Sequence, residues 1–102
     1  MRWKNTDGWD LSDMSASIAM SDSCALTADE RRPFVLFTCS AASKALTLGL
    51  TAGQAAIVMN TGGTNAVTVK NVSTDAGTSV AAGKVALVVA GSAGAGTVTV
   101  LN

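Results

Sequence analysis

Short glycine-bearing turn signals recur from residue 51 to the end of this chain, and they constrain the fold more than any other feature. Thr51-Ala52-Gly53 precedes the apolar stretch 54–60, and Thr61-Gly62-Gly63-Thr64-Asn65 precedes 66–72. Asp75-Ala76-Gly77 leads into 78–80, Ala82-Gly83 into 84–90, and Gly91-Ser92-Ala93-Gly94-Ala95-Gly96 into 97–101. Glycine reaches the positive φ values that tight turns need. Several of the segments between alternate apolar with polar residues, as in Val67-Thr68-Val69-Lys70 and Thr97-Val98-Thr99-Val100. That period of two marks half-buried strands. A helix over 54–59 or 80–89 fails on length and on its flanking glycines.

Two earlier segments extend the pattern. Phe34-Val35-Leu36-Phe37-Thr38-Cys39 is β-branched and aromatic, with apolar side chains on both faces, and reads as a buried strand. In Ala45-Leu46-Thr47-Leu48-Gly49-Leu50 the three leucines share one face. Before them, Thr27-Ala28-Asp29-Glu30 has the spacing of a capping box and predicts one helical turn, stopped by Pro33. The expectation is an all-β fold: a small antiparallel β-sandwich or barrel-like domain of about six or seven short strands, spanning residues 23–102. A β-solenoid would be expected to carry strict repeats, whereas the strand spacings here vary from about 8 to 14 residues.

Residues 1–22 have a different character. Ten of the fourteen charged side chains lie in residues 1–32, together with both tryptophans, while residues 33–102 hold only Lys44, Lys70, Asp75 and Lys84. Residues 1–22 therefore read as an extended N-terminal arm, with a helical turn over 10–15 that Asp10 could cap. Trp3 and Trp9 either fold back on their own domain or anchor the arm to a neighbour, with Arg2 and Lys4 in support.

Composition sets the remaining bounds. The formal net charge is zero, so no basic footprint points to nucleic acid. The longest apolar runs, such as 55–59 and 85–90, fall far short of the roughly 20 residues of a membrane-spanning helix. No apolar stretch follows the charged start, so no secretory signal peptide is expected there. Of the 102 residues, eighteen are alanine, and only 23 are Leu, Ile, Val or Phe. A core that thin is usually supplemented by disulfides, metal or partner subunits. With no histidine and two cysteines, partner subunits are the expected source. Cys24 and Cys39 read as free thiols or as one disulfide, and they lack the CxxC spacing of a redox or zinc site. Strand faces rich in threonine and serine, with few charges guarding the edges, point the same way.

Catalytic chemistry finds little to stand on. Without histidine there is no Ser-His-Asp triad and no imidazole base. Asp7, Asp10 and Asp13 fall three apart but lack the alternating oxygen ligands of an EF-hand. The glycines of 91–96 are followed by a strand where a dinucleotide fingerprint needs a helix. No enzyme, cofactor or metal is expected.

From Ala25 onward, roughly three quarters of the chain, the sequence resembles small β-rich proteins of tailed-bacteriophage virions. The resemblance lies in the order of a short LTADE turn (26–30), a strand, KALTLGLTAGQAAIVMNTGGTNAVTVKN (44–71) and GTSVAAGKVALVVAGSAG (77–94). That order looks like capsid decoration (cement) proteins and related fibre modules. It implies a homotrimeric β-structured knob bound to the major capsid protein on the outer surface of the virion, made in the cytoplasm of the bacterial host. The alternative it implies is a trimeric fibre or receptor-binding tip that recognises a cell-surface glycan.

Overall fold

The computed structural model describes residues 2–4, 8–10 and 14–102. Its body is two mixed β-sheets packed face to face, with no α-helix among the described residues. The strands are β1 (Arg2–Lys4), β2 (Gly8–Asp10), β3 (Ser15–Met20), β4 (Cys24–Ala25), β5 (Phe34–Cys39), β6 (Lys44–Thr47), β7 (Ala55–Asn60), β8 (Val67–Lys70), β9 (Thr78–Val80), β10 (Val85–Ala90) and β11 (Gly96–Val100). One sheet runs β11-β10-β7-β5-β3, the other β4-β6-β8-β9, and β1 pairs with β2 by itself.

The body holds nine strands where six or seven were expected, and all seven expected after Pro33 begin within a residue of their expected start, the one over 45–50 ending three residues early at Thr47. Their pairing is not the antiparallel one expected. From β3 to β8 the chain alternates between the two sheets, so β3, β5 and β7 lie parallel in one and β4, β6 and β8 parallel in the other. Each glycine turn in this stretch therefore carries the chain across the sandwich. Only β8–β9 and β10–β11 are hairpins within the body, and β7–β10 is also antiparallel. The result is a short coil closed by antiparallel strands. Its turns are unequal: Ala16 pairs with Val35, 19 residues on, and Val35 with Val58, 23 residues on. A repeat of varying length leaves no strict period in the sequence, which is why the coil was not expected.

Residues 15–20 also differ from the expected arm. They form the edge strand of the five-stranded sheet, parallel to β5, and Met20 is buried. The cause is a weak alternation in which Ala16, Ile18 and Met20 share one face, with Ile18 packed against the core. The helical turn expected over 10–15, and the spacing of Asp7, Asp10 and Asp13, lie partly outside the described residues.

Between the sheets, Val35, Phe37, Val58 and Val88 meet Leu46, Leu48, Val67, Val69 and Val80, each fully buried. The capping-box segment forms a hydrogen-bonded turn, with the Glu30 and Arg31 amides donating to Thr27 O and the Thr27 amide donating to Glu30 Oε1 at 2.9 Å.

Two buried asparagines fasten the ends of the sandwich. Asn60 Nδ2 donates to Asn65 O and Val80 O, both at 2.9 Å, while its Oδ1 accepts from Gly62 N. Asn71 Oδ1 accepts from Leu50 N at 2.6 Å, and Nδ2 donates to Leu50 O and Gly94 O. Gly96 lies so close to this corner that an added Cβ would stand 2.5 Å from Asn71 Cβ. Gly77 is needed twice over, since its φ is +76° and a Cβ would meet Thr68 Cγ2 at 2.7 Å.

Candidate functional site

The residues singled out from sequence are placed as a hairpin. β1 and β2 pair antiparallel, with Trp3 opposite Trp9, Arg2 opposite Asp10 and Lys4 opposite Gly8. The signal for it was weak: Asn5 and Asp7, between the two tryptophan-bearing segments, are residue types that favour turns.

The polar groups of the body are occupied in holding the fold. Asp75 Oδ2 accepts from the amides of Gly96 (2.9 Å), Val72 (3.2 Å) and Asn71 (3.2 Å). Those amides, Gly96 first and then Val72, hold its carboxyl below the ordinary 3.8. Lys44 Nζ pairs with Asp22 Oδ1 at 3.0 Å across exposed surface. Cys24 and Cys39 are free thiols. Desolvation, then Glu30 and Cys39, pushes the Cys24 thiol up, the opposite of what a reactive thiolate needs. Among the described residues no cluster of three or more His, Cys, Asp or Glu is placed to hold a metal, and no buried side-chain polar atom lacks a hydrogen-bond partner. An open depression of about 550 Å³ beside β3 and β5, lined in part by Ala19, Thr38, Cys39, Thr61 and Gly62, has no charged residue in its wall.

The outward face of the five-stranded sheet is the feature without an internal explanation. No strand of that sheet contains a charged residue. Across its three middle strands the register aligns Phe34, Ile57 and Leu87 in one row and Leu36, Met59 and Val85 in the next, with Val89 opposite Ala55, while β3 and β11 add Ser15, Ser17, Thr97 and Thr99 to these rows. Leu36 and Ile57 are each 37% exposed and Val89 41%. A shallow apolar recess of about 240 Å³ opens among Pro33, Phe34, Ala55, Ile57 and Leu87. β5, expected to be buried on both faces, is thus covered on one only. The four-stranded sheet turns Ala45, Thr68 and Ser79 outward in one row and Ala25, Thr47 and Lys70 in the next. The open face was legible as apolar runs without strict alternation, in Phe34–Cys39 and Val85–Ala90, but such runs do not say that one side will be left open.

The chain matches no protein-family model, and neither a curated protein nor a solved structure is significantly similar to it.

Proposed function

We propose that this chain is a structural virion protein. In this reading it binds the outer surface of a tailed-phage head as a homotrimer and clamps neighbouring major capsid subunits. The observation that supports the assembly part is the uncharged outward face of the five-stranded sheet, apolar along β5, β7 and β10. The virion part draws on the sequence resemblance from Ala25 onward. The role is mechanical: contacts spread over subunit junctions resist the outward pressure of packaged DNA, with no reaction catalysed and no cofactor bound. The β1–β2 hairpin is the gripping element, with Trp3 and Trp9 as its anchors and Arg2 and Lys4 as its charged support.

The purified chain should co-sediment with expanded heads that lack it, and the double variant Trp3→Ala/Trp9→Ala should lose at least about tenfold in affinity, as expected when aromatic anchors are truncated. Failure of the unaltered chain to bind heads sinks the proposal. The second reading, a trimeric fibre or receptor-binding tip, is favoured by the coil of β3–β8, because stacked coils are a way to continue a repetitive shaft. Binding to cell-surface glycans in place of heads would select it.

A further inference from the structure

β11 is the least anchored strand of the five-stranded sheet. Each of β3, β5, β7 and β10 contains at least one buried side chain, and β11 contains none. Val98 is its one side chain packed against the core. What holds β11 is therefore mostly backbone pairing with β10, from Ala86 with Val100 through to Ala90 with Gly96. The Leu101 amide adds a bond to Val85 O at 2.8 Å. Two ties reach the other sheet, from Gly96 N to Asp75 Oδ2 at 2.9 Å and from Thr78 Oγ1 to Val98 O at 3.4 Å. A strand with so few buried contacts opens at a free energy below that of global unfolding.

β10 stays in place when β11 opens. It remains paired with β7 along its other edge and keeps Ala86, Val88 and Ala90 buried. The edge uncovered contains neither charge nor proline, the devices that stop an edge from pairing with another strand. It is nevertheless selective. The first position of an incoming strand has to be glycine, since a Cβ on Gly96 would stand 2.5 Å from Asn71 Cβ. Two residues on, an apolar side chain has to meet the core, as Val98 does. β11 satisfies both demands in register, and a second copy of the chain brings an identical strand.

Little is lost if the strand is exchanged. The contacts of Gly96 and of the residues after it are remade on the acceptor. Only the connection 91–95 changes, giving up the bonds from Gly91 N to Ala95 O, Gly94 N to Gly91 O and Asn71 Nδ2 to Gly94 O. That connection contains two glycines and no proline, so it is free to extend.

We infer that copies of this chain exchange β11, each laying residues 96–101 against β10 of another copy, with residues 91–95 as the hinge. Such an exchange closes as a pair or as a ring of three. It goes beyond the reading above and requires no capsid.

The test uses two chains with one new cysteine each, Ala86→Cys in one and Val100→Cys in the other, at positions that are partners across β10 and β11. They are mixed at high concentration and oxidised with a small-molecule disulfide. A disulfide-linked dimer containing one of each should form, identified by its mass. Replacing either variant with the unaltered chain, which keeps Cys24 and Cys39, should abolish that dimer. The double variant Ala86→Cys/Val100→Cys, oxidised at low concentration, should close the bond within one chain, which shows that it folds and that the positions meet. Leu87→Cys with Thr99→Cys, also register partners, replaces the pair if that bond does not close. A mixture that gives no linked dimer, while the double variant closes its own bond, overturns the exchange. A dimer that forms equally with the unaltered chain reports bonding to Cys24 or Cys39 and overturns it as well.

Discussion

The two sheets of this sandwich share one core but present opposite chemistry to their surroundings. Toward the core both offer the same kind of residue, Val35, Phe37 and Val58 from one side and Leu46, Val67 and Val69 from the other. Outward, the four-stranded sheet shows Ala45, Thr47, Thr68, Lys70 and Ser79, whereas the three middle strands of the five-stranded sheet show Phe34, Leu36, Ile57, Leu87 and Val89, flanked by Ser15 and Ser17 on β3 and by Thr97 and Thr99 on β11. Backbone pairing asks nothing of outward side chains beyond β propensity. The difference therefore lies in the side chains alone, not in the backbone pairing.

The sharpest way to break this comparison is to remove what the sheets share. Phe37 is completely buried between them, and Phe37→Ala should cost about 3–5 kcal/mol, enough to unfold much of a small domain. Leu36, its neighbour on the outward face, should cost under about 1 kcal/mol on truncation to Ala in the monomer. Urea unfolding at low protein concentration measures both. Equal losses would mean that the outward face already belongs to an internal core, and the distinction between the faces would fail.

Next in size is the corner where the sheets are tied together. Asn71 lies just after β8 in the four-stranded sheet, yet its side chain holds Leu50, in the crossing from β6 to β7, and Gly94, in the β10–β11 connection of the five-stranded sheet. Asn71→Ala removes these bonds and leaves the Leu50 amide and carbonyl buried without partners, at about 2–4 kcal/mol. Chemical unfolding checks the loss. Hydrogen exchange should localise it to residues 48–54 and 91–96 rather than to the strands. Uniform loss of protection would show instead that the corner is no separate fastening.

Strand positions were legible in the sequence and strand partners were not, for a physical reason. Val67-Thr68-Val69-Lys70 declares its period and its buried face whatever lies beside it. Thr51-Ala52-Gly53 declares a turn, but the same glycine chemistry serves a hairpin and a crossing between sheets. The choice was made by burial. Leu46, Leu48 and Leu50 point into the space faced by Val58, and the chain reaches β7 only by crossing over. β3 went unread because serine and alanine dilute its alternation. Asn60 and Asn71 were not singled out, since an asparagine near a turn is common and only the three-dimensional corner shows what each one holds. Trp3 and Trp9 were noticed as aromatic residues in a charged segment, and the structure adds their register as cross-strand partners.

The smallest expected effect lies in acid, and it probes the same corner. Asp75 follows β8, and its Oδ2 accepts from Gly96 at the start of β11, so the carboxylate is a second tie between the two sheets. Its folded pKa lies below the ordinary 3.8, held there chiefly by the Gly96 and Val72 amides. A depressed folded pKa adds stability that is fully present above the unfolded value and is lost as pH falls from there through the folded one. Asp22 is lowered as well, first by its hydrogen bond to Lys44, but that pair is exposed and surface pairs contribute little. The midpoint of thermal unfolding should therefore drop as pH falls to the ordinary 3.8 and below it, and Asp75→Asn should flatten that drop more than Asp22→Asn does. If the two variants flatten it equally, the Asp75 carboxylate is no stronger a tie than a surface ion pair, and Asn71 alone joins the sheets at this end.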